Sequence, residues 1–310
     1  MRNKNIQMQL AHEDRKLSIN QHASKIHPDI GDVLTLSDGR KVGYLDVGDP
    51  NGAPVFYNHG AASSRIEALF FAESAANLNI RIIGVDRPGM GLSDYQEGLT
   101  FLSWASDLAE VADYLNIKRF SVAGTSGGGA YACACGAHQN LANRINAIIL
   151  IAGMLPATKE EKRAQSAATK WTLKLADSVP FLCGLIMQSL KGVAKRSVQT
   201  GDFMGRKGWG SIMGYAQLSS FRNGTKGAVR DAALYAHPLG FELKEIGVPV
   251  MVFVGTEDTN VPIGIAKRVV REVKNSKLHI FDGEDHQGIL GRGQEILEAS
   301  IKFAKALKEN

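Results

Sequence analysis

The stretch Gly124-Thr125-Ser126-Gly127-Gly128 reads G-x-S-x-G, between the apolar run Phe120–Ala123 and an alanine-rich helical stretch. At a strand-to-helix junction, that spacing makes a turn tight enough to strain the serine backbone and lift its hydroxyl above the sheet. The glycines on either side leave room for neighbouring backbone. The helix that starts there aims free N–H groups and its positive dipole end at the hydroxyl. A serine hydroxyl is a weak nucleophile until a base takes its proton, and the base needs a carboxylate to fix its tautomer. Two later apolar runs offer both. Val248–Gly255 is followed by Glu257 and Asp258, and Lys277–Phe281 by an acidic turn ending at His286. Each places its side chain just beyond a strand, where it emerges at the sheet's C-terminal edge. His286 is therefore the candidate base and Asp258 the candidate acid, with Glu257 or an acid after the sixth strand as alternatives. The other histidines lack this placement: His22 and His27 lie in a polar tail, His138 late in a helix, His237 before a proline, and His279 inside a strand.

Acyl transfer also needs donors for a developing oxyanion. One candidate is the backbone N–H of Gly127. The other is that of Ala61, in the loop Asn58-His59-Gly60-Ala61 that follows an apolar strand. His59 reads as a residue that shapes this loop, with a second base as the rival reading. The candidate substrate contacts are His59, Gly60, Thr125, Trp171 and Trp209.

These residues need a scaffold, and the rest of the chain describes one. Val33–Leu36 and Val42–Val47 flank a Ser37-Asp38-Gly39 turn and predict an antiparallel hairpin at a sheet edge. Ser63 or Ser64 can cap a helix that continues through Ala76. Ile80–Val85 is a β-branched run with no polar alternation beyond Arg81 and Gly84, as expected of a strand buried on both faces. Strand and helix patterns then alternate through Trp104–Leu115, Phe120–Ala123 and Ile145–Ile151, and resume with Val248–Gly255, Ile263–Val273, Lys277–Phe281 and a closing helix from Gly288 to Lys308. Such alternation predicts an α/β fold with a mostly parallel central sheet flanked by helices. The expected organisation is a polar N-terminal extension over 1–31, a core over 32–153 and 236–310, and a helical cap over 154–235.

In that cap segment 13 Lys+Arg face 5 Asp+Glu, a net +8, so with +5 for the whole chain the remainder sums to −3. The charges are scattered and no nucleic-acid motif accompanies them, so no nucleic-acid partner is expected. The cap's apolar residues, among them Trp171, Phe181, Leu185, Met187, Trp209 and Met213, are expected mostly to pack onto the core, with a few facing an apolar pocket. Cys133, Cys135 and Cys183 are too few, and odd in number, for a disulfide framework. With no apolar leader or spanning run, a cytoplasmic protein without a stable membrane anchor is expected. Neither a G-x-G-x-x-G nor a phosphate-binding G-x-x-x-x-G-K loop occurs, and the histidines lack metal spacing, so no cofactor and no metal are expected.

Val55–Gly60, Asp86-Arg87-Pro88-Gly89-Met90-Gly91-Leu92-Ser93, Gly124-x-Ser126-x-Gly128, Gly255-x-x-Asp258 and His286 resemble, in order, the motifs of the α/β-hydrolase superfamily. The likeness is to its capped, esterase- and epoxide-hydrolase-like branch. It implies a Ser126–His286–Asp258 triad and an oxyanion hole from the Ala61 and Gly127 amides. It also implies that Asp86–Ser93 shapes the pocket floor without a catalytic role for Asp86. Serine at the elbow, where dehalogenases and epoxide hydrolases carry aspartate, argues against those activities. The reaction expected is hydrolysis of a carboxylic ester or related acyl bond of a small, largely apolar substrate through an acyl-enzyme. A carbon–carbon bond hydrolase, a lyase or a cofactor-free oxygenase on the same residues, or a ligand receptor of this fold, are the other readings.

Overall fold

The computed structural model describes residues 26–306. Most of the N-terminal extension lies outside them, but Ile26 joins a core cluster with Leu45 and Val47. The strands are β1 (Asp32–Thr35), β2 (Lys41–Gly48), β3 (Ala53–Asn58), β4 (Ile80–Val85), β5 (Phe120–Thr125), β6 (Ile145–Ile151), β7 (Val250–Gly255) and β8 (Ser276–Phe281). The helices are α1 (Ala72–Asn77), α2 (Phe101–Tyr114), α3 (Gly129–Ala137), α4 (Lys159–Ala164), α5 (Ala167–Ser178), α6 (Pro180–Thr200), α7 (Gly210–Ser220), α8 (Lys226–Leu234), α9 (Ile263–Glu272) and α10 (Gly293–Ala306).

One eight-stranded sheet runs β1-β2-β4-β3-β5-β6-β7-β8. The expected hairpin is present, with Asp32 opposite Tyr44 and Thr35 opposite Lys41. β2 is antiparallel to β4, and every later pairing is parallel. The chain leaves β3 for β4 on one side and returns to place β5 on the other. The loops after β3 and β5 therefore diverge, and such a switch point opens a crevice at the strands' C-terminal ends. Those two loops carry His59–Ala61 and Ser126.

Alternate residues of the central strands feed two separate cores, which is why the strands read as unbroken apolar runs. Phe56, Ile83, Val122, Ile148 and Val252 face the cluster under α2, α3 and α9. Val55, Ile82, Ala123, Ile149 and Met251 face the cluster under α1 and α10. Full burial of each of these Val, Ile, Phe and Met side chains contributes about 1.5–3 kcal/mol.

Between β6 and β7 come helices α4 to α8 and a two-residue hairpin, Asp202–Phe203 with Arg206–Lys207. A third cluster joins this insertion to the core: Ala176, Cys183, Met187, Phe221 and Val229 pack with Met90 and, partly buried, Ala62. No helix among the described residues is long and apolar enough to cross a membrane.

Two local expectations fail. The stretch after Ser64 is a 3-10 turn, Arg65–Phe71, before α1 begins, and Ser64 makes no side-chain cap bond. The Arg65 N–H, which a Ser63 cap would have served, goes to the Asp86 carboxylate at 2.7 Å, the Glu67 N–H goes to the Ser64 carbonyl at 3.0 Å, and the buried Ser63 and Ser64 hydroxyls have no partner among the described residues. The second concerns the insertion's apolar side chains. Met187 and Met213 are buried as expected, but Phe181 is 78 % exposed and Leu185 53 %. Only one side of α6 packs inward, through Cys183, Met187 and Ala194.

Candidate active site

Ser126 follows the last residue of β5 and opens a 3-10 turn that runs into α3. Its φ is +48°, a left-handed conformation that costs a side-chain-bearing residue about 1–2 kcal/mol. The surroundings hold it there. Its carbonyl accepts the Met154 N–H at 2.7 Å, and the backbone packs so closely that only glycine fits beside it. A Cβ on Gly128 would lie 2.0 Å from the Asn58 carbonyl oxygen, and one on Gly124 2.3 Å from that of Gly128. Asn58 is itself fixed, donating to the Ala123 carbonyl at 3.1 Å and accepting from the Trp104 indole at 2.7 Å.

The loop after β8 brings His286 over this turn. Its Nε2 lies 2.9 Å from Ser126 Oγ and its Nδ1 2.7 Å from Asp258 Oδ2. The other carboxylate oxygen of Asp258 accepts the N–H groups of Asn260 at 2.9 Å and Val261 at 2.8 Å. Asp258 lies in the loop directly after β7 and is 6 % exposed. With the carboxylate holding a proton on Nδ1, Nε2 is left as the acceptor facing the serine hydroxyl.

The Ala61 amide nitrogen is 3.0 Å from where a Cβ of Gly127 would stand, so both N–H-bearing residues named for the oxyanion meet beside Ser126. Two buried groups hold that loop. Glu67 Oε1 accepts the Gly60 N–H at 2.9 Å and the Tyr57 hydroxyl at 2.6 Å. Arg87 donates to the carbonyls of His59 and Gly60. Its guanidinium also forms a two-pronged ion pair with Asp231 of α8, at 2.9 and 3.0 Å. Asp231 further accepts the Tyr131 hydroxyl at 2.6 Å, and the Tyr235 hydroxyl donates to the Gly127 carbonyl.

Several side chains named as substrate contacts are otherwise engaged. The His59 ring is fully buried, with Nδ1 2.8 Å from the Gly60 carbonyl and Nε2 accepting the Arg87 N–H at 3.3 Å. Burial and the neighbouring Arg87 charge hold its pKa well below the usual 6.5, so the ring is neutral and has no nitrogen free for substrate. The Thr125 hydroxyl turns to that of Tyr57, 2.8 Å away. Trp171 is 65 % exposed and lies under the Lys174 ammonium on the outside of α5. Trp209 is the exception among the aromatics. It leans on Phe70 with ring centroids 4.7 Å apart and reaches the backbone of Gly291, in the segment after His286.

Arg87, Asp231, Glu67 and Tyr235 were not singled out from the sequence. Asp231 had a signal: it is one of five carboxylates in a strongly basic segment and sits on the buried face of a helix. A buried acid there needs a cation. No cluster of three or more metal-binding side chains converges among the described residues.

The family model "Serine aminopeptidase, S33" matches residues 49–290. The chain is 26 % identical over 281 residues to a non-heme chloroperoxidase of Streptomyces lividans, covering 87 % of this chain and 97 % of that protein. It is also 26 % identical over 268 residues to a bifunctional esterase/perhydrolase of Acinetobacter calcoaceticus, covering 82 % and 92 %. Among solved structures, an esterase from Exiguobacterium antarcticum superposes with a TM-score of 0.68 at 19 % identity, covering 89 % of this chain and all of that one.

Proposed function

We propose, for a chain that belongs to the serine aminopeptidase S33 family of α/β-hydrolases, that this hydrolase is a serine carboxylesterase acting on small, largely apolar esters. The observation that carries the reading is one imidazole bridging the Ser126 hydroxyl at 2.9 Å and the Asp258 carboxylate at 2.7 Å.

In this reading Nε2 of His286 takes the Ser126 proton as Oγ attacks the ester carbonyl. The N–H groups of Ala61 and Gly127 stabilise the oxyanion, usually the largest single contribution at such sites. The imidazolium, steadied by Asp258, then gives its proton to the departing alkoxide and leaves an acyl-enzyme. A water activated by the same nitrogen releases the acid. Residues 154–235 act as a cap over the switch-point crevice, seated on Met90 and Ala62, and Trp209 contributes an aromatic wall beside the histidine segment. Gly60 keeps the oxyanion loop low enough for the substrate carbonyl. The three buried, unpaired cysteines suit a reducing compartment, so we place the enzyme in the cytoplasm.

The test pairs an alkyl fluorophosphonate with a substrate panel of p-nitrophenyl esters of rising chain length, lactones and diketones. The wild type should be labelled and turn over esters, and Ser126→Ala should do neither. Labelling with diketone but no ester turnover would move the assignment to carbon–carbon bond hydrolysis. Absence of labelling would remove Ser126 as the nucleophile.

A further inference from the structure

Nine of the twelve large apolar side chains exposed among the described residues fall between Trp171 and Met204. They are not scattered. On α6, Cys183, Met187 and Ala194 face inward, while Phe181, Leu182, Leu185, Ile186 and Val193 lie on the opposite side in solvent. Phe181 and Leu185 also wall a groove of about 570 Å³ between α6 and α8, with Lys226 and Arg230 across from them. A contiguous apolar face of this kind marks a surface that meets something.

The charge around it says what. Over residues 167–200 there are five cations, Lys170, Lys174, Lys191, Lys195 and Arg196, against one carboxylate, Asp177. That carboxylate is already taken by His237, at 2.8 Å. All five cations are exposed or half-buried, and none is ion-paired among the described residues. Exposed aromatic and aliphatic side chains, with lysines and an arginine on the same two helices, are what an interfacial segment presents to a bilayer.

We propose that the outer face of α6, together with Trp171 of α5, docks reversibly on the surface of a membrane containing anionic phospholipid. Phe181, Leu185 and Ile186 enter the boundary between headgroups and acyl chains, and the five cations contact the headgroups. A second copy of the chain fits poorly, because it would set five cations against five. So does the chain's own segment 1–25, which carries five cations (Arg2, Lys4, Arg15, Lys16, Lys25) against Glu13 and Asp14, a net +3 of the same sign.

The docking is independent of the chemistry at Ser126, so Ser126→Ala should bind as the wild type does and failure of either reading is seen separately. The full chain is sedimented with phosphatidylcholine vesicles, with and without phosphatidylglycerol. Association with the anionic vesicles should be at least ~10-fold stronger and should fall as salt is raised. Phe181→Ser with Leu185→Ser should weaken it by more than about ten-fold, as should Lys191→Glu with Lys195→Glu, with circular dichroism unchanged. Failure to sediment with anionic vesicles would overturn the proposal, as would equal binding by both double variants. Light scattering that shows a wild-type dimer and a monomeric Phe181→Ser/Leu185→Ser variant would overturn it in favour of self-association.

Discussion

Arg87 and Asp231, separated by 144 residues in the chain, form an ion pair with both side chains at 1 % exposure or less. It joins the loop after β4 to helix α8 of the insertion, and through the Arg87 contacts to His59 and Gly60 it reaches the loop after β3.

Asp231→Ala should therefore destabilise the protein by about 3–5 kcal/mol, because it strands a guanidinium away from water. The double variant Arg87→Met/Asp231→Leu should recover much of that loss. Urea unfolding of the two single variants and the double variant checks this. If the double variant is as unstable as the sum of the singles, the pair is not what couples them.

Replacing Asp258 with Asn keeps the shape of the acid but lets the imidazole settle in the wrong tautomer. We expect kcat on p-nitrophenyl acetate to drop by roughly 10³–10⁴-fold with KM little changed. His286→Ala should fall at least as far. Steady-state kinetics distinguish this from a folding defect, which would lower the active fraction without a pH-independent loss per labelled site.

The buried His59 gives stability a pH dependence of known sign. Its folded pKa lies well below 6.5, so below that value the unfolded chain binds a proton that the folded chain does not. Stability is full above pH 6.5 and is lost as pH falls, at up to about 1.4 kcal/mol per pH unit from this group. His59→Gln, which can keep a donor and an acceptor, should flatten the profile of unfolding free energy between about pH 6.5 and 5.

A methyl group on Gly128 has no place to go, since it would stand 2.0 Å from the Asn58 carbonyl oxygen. Gly128→Ala should cost at least ~3 kcal/mol or displace the nucleophile turn. Thermal unfolding together with fluorophosphonate labelling separates the two outcomes, and a variant unchanged in both would show that the turn is looser than drawn.

The Ser126 turn was readable in the sequence because five consecutive residues fix its spacing, although only Gly124 answers a contact within the turn, Gly127 and Gly128 meeting Ala61 and Asn58 from far along the chain. Asp258 was readable because it follows the valine-rich run Val250–Gly255, and His286 because it closes the acidic turn after the next strand, Ser276–Phe281. The Arg87–Asp231 pair and the Glu67 clamp were not, since their partners meet only through tertiary packing. Neither Ser63 nor Ser64 caps a helix: Asp86, distant in sequence, takes the Arg65 N–H that Ser63 would have served, and the Ser64 carbonyl takes the Glu67 N–H within the 3-10 turn. The apolar stripe of α6 was expected mostly to pack inward. Periodicity shows that a helix has an apolar side, not whether protein or something else covers it.

Arg65 reaches Ser219 of α7, as Arg87 reaches Asp231 of α8, so two core arginines tie these helices of the insertion to the core. Lifting α8 would part a buried ion pair, whereas lifting α7 would cost Arg65 only its Ser219 bond, since Asp86 and the Ile30 and Pro28 carbonyls still hold the guanidinium. Helix α6 packs along α7 and α5 along α8, so the ties made by Arg65 and Arg87 hold all four of these helices to the sheet.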